Sequence, residues 1–327
     1  MSKHPYQKLT PDLVIQAVES LGYETDARIF GLNSYENRVY QVGISDKRSL
    51  VVKFYRPGRW TLDQILEEHR FSKELAALEI PVIPPITLKK QSVFEFEGFQ
   101  LAVFPLFIGR PLELDNFANL LVMGRFIGRI HSVGTEASFV KRLEINIDRF
   151  AKKSREFLLD NDFIPRDLTV AYETLSQDLI NKVESCFSRH GAVKKLRIHG
   201  DCHPGNILWK DNAPNFVDFD DTMNGPAVQD LWMMLSGNRD QKQAQLQELL
   251  KGYNEFFRFP VTELSLIESL RTLRIMNYSA WLARRWGDPA FPRNFPWFNS
   301  ARYWSEHILQ LREQLSALDE PPLEILV

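Results

Sequence analysis

The stretch HGDCHPGN, residues 199–206, decides the fold and the chemistry that the sequence predicts. It places an aspartate two residues after a histidine, and an asparagine five residues after that aspartate. This separation lets one short loop turn Asp201 and Asn206 towards the same cleft. The carboxylate of Asp201 is then suited to accept the proton of an attacking hydroxyl, and the amide oxygen of Asn206 to bind Mg²⁺. The stretch is typical of the catalytic loop of phosphoryl-transfer enzymes.

A second acidic residue follows in FVDFD, residues 216–220. Asp218 stands twelve residues after Asn206, at the predicted end of a strand, where kinases carry an Asp-Phe-Gly motif. We predict a catalytic role for Asp218 beside Asp201: it holds the metal that bridges the nucleotide phosphates, because a hard cation prefers carboxylate oxygens. Asp220 replaces the glycine of that motif, which removes the familiar flip of the segment but not the metal chemistry.

The strand-rich first part of the chain is expected to supply further nucleotide ligands. Lys53 lies inside the apolar strand LVVKFY, residues 50–55, and therefore points into protein. A buried lysine needs an anion, which the α and β phosphates of a nucleotide provide. In kinases a carboxylate from the following helix orients this lysine; Glu67 and Glu68 are the two candidates, and Glu68 is favoured. A solvated lysine at the sheet edge is the alternative.

No Gly-x-Gly-x-x-Gly phosphate loop occurs in the sequence. The polar stretch NSYENR, residues 33–38, stands in its place between the first two predicted strands. Its backbone N–H groups and the hydroxyl of Ser34 are able to cover phosphates. An ordinary hairpin turn is the alternative interpretation of the same residues.

Charge and composition exclude several classes of function. The 327 residues carry 40 basic and 42 acidic side chains, so no excess of cations is available for a nucleic-acid backbone. Only two cysteines occur, Cys186 and Cys202, which suits a reducing compartment and no disulfide framework. The sequence has no run of about 18 apolar residues and no N-terminal apolar run of the signal-peptide kind. We therefore predict a cytoplasmic protein that binds neither nucleic acid nor a membrane.

The order of predicted elements indicates an α+β fold with a cleft between two lobes. Residues 1–105 are predicted to form a strand-rich nucleotide-binding lobe, with strands at 27–32, 38–42, 50–55, 93–96 and 99–104 and helices at 11–21 and 61–78. Residues 106–327 are predicted to form a mainly helical lobe with the catalytic loop and acceptor site, and helices at 117–132, 147–159, 170–190, 241–257 and 263–286. A hairpin of residues 207–209 and 216–217 interrupts these helices.

With these residues assembled, the chain resembles the aminoglycoside-phosphotransferase branch of the protein-kinase-like enzymes, which carry His-Gly-Asp-x-His-x-x-Asn and a short loop in place of the glycine-rich one. It is more similar still to the bacterial stress response kinase A family, the RdoA-type serine/threonine protein kinases. The stretches that carry this resemblance lie in both lobes: NSYENRVY (33–40), VKFYRP (52–57), DQILEEH (63–69), HGDCHPGNILW (199–209), GPAVQDLW (225–232) and DPAFP (288–292).

The resemblance implies a two-lobed protein-kinase-like fold, ATP and Mg²⁺ as cofactors, and serine or threonine hydroxyls of proteins as acceptors, autophosphorylation included. It also implies a cytoplasmic monomer with a role in surviving stress. The family's phosphate-loop serine falls on Ser34, its proton acceptor on Asp201, and its metal ligands on Asn206 and Asp218. Asp230 falls where this branch has a buried aspartate that braces the catalytic loop.

Two other functions remain open from the sequence. A small-molecule kinase of the aminoglycoside, choline or homoserine type uses the same fold and motifs, and no residue of the helical lobe decides the acceptor. A nucleotide-binding module that signals without transferring phosphate is the other alternative, although the charge-handling residues named above form a complete set. The predicted helix 263–286 contains three arginines: Arg274, Arg284 and Arg285. We expect their side chains to contact an acidic acceptor, or else to lie in the protein core or in solvent.

Overall fold

The computed structural model describes residues 4–325, and the first part of it is built on one sheet. We call this part, residues 4–105, the N-terminal lobe. Its elements are α1 (Pro11–Ser20), β1 (Thr25–Gly31), β2 (Arg38–Ile44), β3 (Ser49–Phe54), α2 (Leu62–Ala77), β4 (Phe94–Phe96) and β5 (Phe99–Pro105). The five strands lie in the order β1-β2-β3-β5-β4, and every neighbouring pair is antiparallel.

Helix α1 covers one face of the sheet. It begins after Thr10, whose side-chain oxygen accepts a hydrogen bond from the backbone N–H of Leu13 at 3.2 Å. The apolar stripe of the helix, which includes Val18, packs with Val52 and Val103 of the sheet in one buried cluster. This packing holds the helix in place, because an isolated helix of this length is marginal in water.

Helix α2 covers the other face. A capping box fixes its start: Thr61 Oγ1 accepts from the N–H of Gln64 at 3.3 Å, and Gln64 Oε1 accepts from the N–H of Thr61 at 2.9 Å. Ile65 of this helix packs with Ala102, which is the cross-strand neighbour of Lys53. Since cross-strand neighbours share a face of the sheet, Lys53 points towards α2.

The second part, residues 106–325, is mainly helical, and we call it the C-terminal lobe. Its helices are α3 (Phe117–Gly134), α4 (Lys153–Asp160), α5 (Arg166–His190), α6 (Val228–Trp232), α7 (Arg239–Tyr253), α8 (Ile267–Arg285), α9 (Ala290–Asn294) and α10 (Ala301–Ala317). Its strands are β6 (Arg110–Pro111), β7 (Leu196–Ile198), β8 (Ile207–Lys210), β9 (Ala213–Phe216) and β10 (Met223–Gly225). In the described residues, no helix combines the length and the apolar character that a membrane crossing requires.

Short strands hold the segment 199–206 at both ends. Strand β7 ends directly before this segment, and β8 begins directly after it. Strand β7 pairs with β10, while β8 pairs with β6 and β9. Just after β9, the backbone N–H of Val217 donates to the carbonyl oxygen of Asn206 at 3.1 Å. The predicted catalytic loop and the Asp218 segment therefore run side by side.

The predicted α+β fold, with a strand-rich first part and a mainly helical second part, is confirmed. The lobe boundary between residues 105 and 106 stays a prediction. Helix α10 and the β7–β10 ribbon were not predicted. Three-residue strands are too short for an alternating pattern to stand out, whereas α10 carries Trp304, Ile308 and Leu311 at helical spacing, a signal that the prediction did not use.

Several predicted element ends are wrong by a few residues. The helix predicted at 170–190 begins at Arg166, directly after Pro165, and the helix predicted at 241–257 ends at Tyr253. The helix predicted at 263–286 begins only at Ile267, because a 3₁₀ turn at Val261–Leu266 precedes it. A π-helical turn at Asp148–Lys152 opens the segment predicted as the helix 147–159. The second strand of the hairpin ends one residue early, before Val217, because the chain turns there towards Asp218.

Helices α3 and α7 pack closely because glycines lie where they cross. Gly124 and Gly128 of α3 face α7, and Gly252 of α7 faces α3. A Cβ atom at Gly124 would overlap the carbonyl oxygen of Leu249, and one at Gly252 would overlap that of Leu121. The contact leaves no room for a side chain at either position.

We expect Gly124→Ala to lower the free energy of unfolding by about 1–3 kcal/mol, because the added methyl group forces the two backbones apart. Urea unfolding followed by circular dichroism measures the change. Gly31→Ala is the matched control, since the space around Gly31 at the end of β1 is open. Equal stability of the two variants would contradict the close packing of α3 on α7.

Candidate active site

The site is built around Lys53, which is buried where the two lobes meet. Its ammonium nitrogen lies 2.9 Å from Oδ1 of Asp220, 3.1 Å from Oδ1 of Asp218 and 3.7 Å from Oε1 of Glu68. Burial by itself lowers the pKa of a lysine, but the charges of these carboxylates, Asp220 first, outweigh it and raise the pKa well above its ordinary value. Lys53 is therefore a permanently charged group at the junction of the lobes.

Asp220 is the nearest partner of Lys53, although its position holds glycine in the Asp-Phe-Gly motif. Its carboxylate is almost fully buried and also pairs with Arg59, while Arg142 donates to its backbone carbonyl. Burial raises the pKa of Asp220, but the charges of Arg59 and Lys53 outweigh burial and lower the pKa below its ordinary value. Asp220 is therefore ionised and neutralises the lysine, a role that the sequence did not suggest.

The two glutamates of α2 have different surroundings. Glu68 is buried, with Oε1 3.7 Å from Lys53 and Oε2 3.6 Å from Arg142. Burial raises the pKa of Glu68 to about 7, against the opposing charge of Lys53. Glu67 instead accepts hydrogen bonds at 2.8–2.9 Å from the backbone N–H groups of residues 140–142. Glu68 therefore stands beside the lysine, and its part in nucleotide binding stays a prediction.

Asp230 of α6 braces the predicted catalytic loop. Its carboxylate accepts hydrogen bonds from the backbone N–H of His199 at 2.8 Å and of Gly200 at 2.9 Å. Its Oδ2 also lies 3.0 Å from Nε2 of the buried His131. Gly200 adopts a left-handed conformation, with φ of 84°, and a Cβ atom there would overlap a neighbouring carbonyl oxygen. These constraints fix the backbone that leads into Asp201.

Asp201 has charged or polar partners on both carboxylate oxygens. Oδ1 lies 2.7 Å from Nη1 of Arg274 on α8, whereas Oδ2 lies 3.4 Å from Nε2 of His203 and 3.3 Å from Nδ2 of Asn206. Burial raises the pKa of Asp201, but the hydrogen bond to His203 and the charge of Arg274 outweigh it and lower the pKa below its ordinary range. Asp201 is therefore ionised, and Arg274 belongs to its surroundings.

Asn206 and Asp218 are the two predicted ligands of Mg²⁺, and their roles as metal ligands stay predictions. Asn206 donates through Nδ2 to the carbonyl oxygen of Asp201 at 3.0 Å, which turns its amide oxygen the other way. The side chain of Asp218 is half exposed and contacts Lys53 through Oδ1. Within residues 4–325, no three His, Cys, Asp or Glu side chains cluster so as to hold a metal by themselves. One amide, one carboxylate and nucleotide phosphates are, however, the usual ligands of Mg²⁺ in kinases.

The loop of residues 33–38 is fastened to the C-terminal lobe. Glu36 pairs with Arg285 of α8, Oε1 to Nη2, at 2.8 Å. Arg38 donates to both carboxylate oxygens of the buried Asp288 at 3.0 Å. The segment therefore joins the antiparallel strands β1 and β2 as a hairpin connection and also contacts the C-terminal lobe.

Ser34 lies in this loop, and its hydroxyl donates to the carbonyl oxygen of Asn37 at 3.2 Å. Direct contacts join Lys53 to Asp218, but no hydrogen bond of Ser34 reaches either residue in the described part of the chain. The structure therefore does not bring Ser34 into the lysine cluster, and its contact with phosphate stays a prediction.

Four charged residues of the site escaped the sequence-based prediction: Arg59, Arg142, Asp220 and Asp288. The run DFDD, residues 218–221, carried a signal for two of them. Three carboxylates within four residues require cations nearby if they are buried. The arginine of the stretch RPGRW, residues 56–60, meets this requirement, since Arg59 pairs with Asp220 and Asp221.

Comparison with known proteins identifies the family. The model described as "Phosphotransferase enzyme family" matches residues 29–264, a range that includes Lys53, the catalytic-loop segment and Asp218. The chain belongs to this phosphotransferase family. The matched range thus includes residues of both lobes.

Full-length relatives confirm the predicted resemblance to stress response kinase A. The protein of that name from Escherichia coli (strain K12) is 44% identical over 324 residues, which cover 99% of this chain and 98% of the relative. "Serine/threonine protein kinase RdoA" of Salmonella typhimurium (strain LT2) is 42% identical over 320 residues, which cover 98% of this chain and 97% of the relative.

A solved structure confirms the kinase-like fold. Amicoumacin kinase hAmiN, solved with AMP-PNP, Ca²⁺ and Ami, has a TM-score of 0.72 at 18% identity, and the match covers 94% of each chain.

We expect Asp220→Asn to lower the free energy of unfolding of this phosphotransferase by about 3 kcal/mol, because it leaves two buried cations with one negative charge fewer. Urea unfolding is again the measurement. Asp46→Asn is the control, since Asp46 pairs with Arg48 at the surface, where an ion pair adds little to stability. Similar losses in both variants would mean that Asp220 does not neutralise Lys53 and Arg59.

Proposed function

We propose that this phosphotransferase is a Mg²⁺-dependent, ATP-using serine/threonine protein kinase that also phosphorylates itself. The observation that carries the proposal is the contact of Lys53 with Asp218, beside a loop in which Asp201 and Asn206 touch each other. Kinases need these groups for phosphate binding, metal binding and proton transfer. The names of the two bacterial relatives support protein hydroxyls as acceptors and a role in the stress response.

We also propose that the enzyme is a cytoplasmic monomer without a nucleic-acid partner. Its two cysteines, Cys186 and Cys202, are buried free thiols, which suits a reducing compartment. Its formal net charge of −2 supports the absence of nucleic-acid binding.

In this proposal Lys53 binds the α and β phosphates of ATP, while Glu68 orients it and Ser34 covers the phosphates. Asn206 and Asp218 hold Mg²⁺, which would draw charge from the transferred phosphoryl group. The presence of AMP-PNP, an ATP analogue, and of Ca²⁺ in hAmiN supports a nucleotide bound together with a divalent cation.

Asp201 receives the proton during transfer. The oxygen of the acceptor hydroxyl attacks the γ-phosphorus of ATP, the bond from that phosphorus to the β–γ bridging oxygen breaks, and ADP leaves. The hydroxyl proton passes to Asp201. The lowered pKa of Asp201 keeps it ionised and also makes it a weak base. A weak base suffices if the transition state is loose, because the hydroxyl then loses its proton late.

A small-molecule hydroxyl is the second candidate acceptor. The observation that favours it is the fold shared with hAmiN, a kinase named for the small molecule amicoumacin. A shared fold does not determine the acceptor, so only an assay of acceptors separates the two functions.

The test incubates the pure protein with labelled ATP and Mg²⁺, with a generic protein substrate in one set and a panel of amino alcohols and sugars in another. Mass spectrometry then searches the enzyme and the protein substrate for phosphoserine and phosphothreonine. Phosphate on either protein supports the proposal. Label on small molecules alone would replace it with the second candidate.

We expect Asp201→Asn to lower kcat by about 100- to 10,000-fold, because the amide cannot accept the hydroxyl proton. The affinity for ATP should stay within about twofold, since Asp201 does not contact the nucleotide in this proposal. Asp211→Asn, in the exposed turn between β8 and β9, is the matched control. Unchanged turnover would remove Asp201 from the mechanism and would favour a module that binds nucleotide without transferring phosphate.

A further inference from the structure

One face of α8 runs along the acceptor side of the site, by which we mean the surface around Asp201 that an acceptor hydroxyl must reach. The residues of this face, spaced by three or four positions, are Arg274, Tyr278, Trp281 and Arg285. Arg274 contacts Asp201 at one end of the face, and Arg285 contacts Glu36 of the loop of residues 33–38 at the other end. An acceptor that approaches Asp201 therefore lies against this face.

The side chain of Arg274 is more exposed to solvent than that of Arg285. The side chain of Arg274 is 45% exposed although one of its nitrogens contacts Asp201, whereas that of Arg285 is 25% exposed and is held by Glu36. The other two guanidinium nitrogens of Arg274, Nε and Nη2, make no hydrogen bond within residues 4–325. Arg274 is therefore able to bind an additional anion that enters with the acceptor.

Two more arginines lie where the π-helical turn and α4 pack against α8. Arg149 lies in the π-helical turn before α4, and Arg284 lies on α8 and donates to the carbonyl oxygen of Lys153 at 3.1 Å. Both side chains are exposed, and in the described residues neither has a carboxylate within 4 Å. Most other arginines of the site have such a partner, whereas Arg149 and Arg284 form no ion pair among the described residues.

The pKa values of these two side chains reflect their crowding. Burial of part of the guanidinium, followed by the charge of Arg59, lowers the pKa of Arg149 against the opposing charge of Asp221. Burial, followed by the charges of Arg149 and Arg285, lowers the pKa of Arg284. The positive charges therefore lie close enough to repel one another, and a bound anion would relieve that repulsion.

We propose that Arg149, Arg274 and Arg284 form an anion-binding surface that recognises a serine or threonine acceptor flanked by acidic side chains. The inference rests on the proposed protein-kinase function, for which it names the class of substrate. The guanidinium fork matches a carboxylate in two parallel hydrogen bonds. An acidic flank binds the unused nitrogens of Arg274 while Nη1 keeps its contact with Asp201. A polycationic acceptor is repelled by the same surface.

The test uses two synthetic peptides that share one serine and differ only in their flanks, glutamates in one and lysines in the other. With the full chain and Mg-ATP, we expect kcat/KM to be about tenfold or more higher for the glutamate peptide. The double variant Arg149→Gln/Arg284→Gln should raise KM for that peptide by about tenfold and leave kcat within about twofold. Arg312→Gln, on the exposed side of α10, is the control and should change neither value.

Equal use of the two peptides, or the same loss for both in the double variant, would overturn the inference. A binding measurement keeps it separate from the kinase proposal: the same peptides with alanine in place of serine, labelled with fluorescein, are titrated with enzyme in the presence of Mg²⁺ and AMP-PNP. Tighter binding of the glutamate peptide, weakened in the double variant, supports the inference even where no peptide is phosphorylated and the kinase proposal fails. Equal or absent binding of both peptides overturns it.

Discussion

Lys53 lies out of water among Glu68, Asp218 and Asp220, and removing such a charge from water without partners would cost several kcal/mol. Its carboxylate partners come from both lobes: Glu68 from α2, and the two aspartates from the segment that follows β9. Keeping the ammonium group paired therefore fixes strand β3 of the N-terminal lobe against the β8–β9 hairpin of the other. Asn206 is joined to the same hairpin, so the distance between the proposed phosphate-binding lysine and the proposed metal ligands follows from this one cluster.

Asp220 changes what the neighbouring aspartate is able to do. Because Asp220 is buried and ionised, it neutralises Lys53 and leaves the half-exposed Asp218 available to a cation. Arg59 and Arg142 hold the segment after Asp218 through side-chain and backbone contacts, and Arg142 also donates to Thr222 O at 2.9 Å. A segment fixed in this way has no need of an activating rearrangement, and we infer that the site is competent without one.

The sequence predicted those parts of the site that a fixed spacing determines. Asp201, Asn206 and Asp218 follow from the motif, and Lys53 follows from a charge inside an apolar strand. The sequence did not predict contacts between residues that are distant along the chain. Examples are the pairing of Arg274 with Asp201 and of Arg38 with Asp288, which depend on tertiary packing that no local pattern encodes. Most long helices with an apolar stripe were predicted, with α10 as the exception. The three-residue strands β7 and β10 were not predicted, because tertiary contacts determine their pairing.

The most direct test of the central claim, that the lysine cluster is the nucleotide site, is a crystal structure of the protein grown with Mg²⁺ and AMP-PNP. The account predicts that Nζ of Lys53 lies within hydrogen-bond distance of an α- or β-phosphate oxygen while it keeps its contact with Asp220. It also predicts Mg²⁺ bound by Asp218 and by the amide oxygen of Asn206. A nucleotide bound away from Lys53, or a metal that neither Asn206 nor Asp218 contacts, would contradict it.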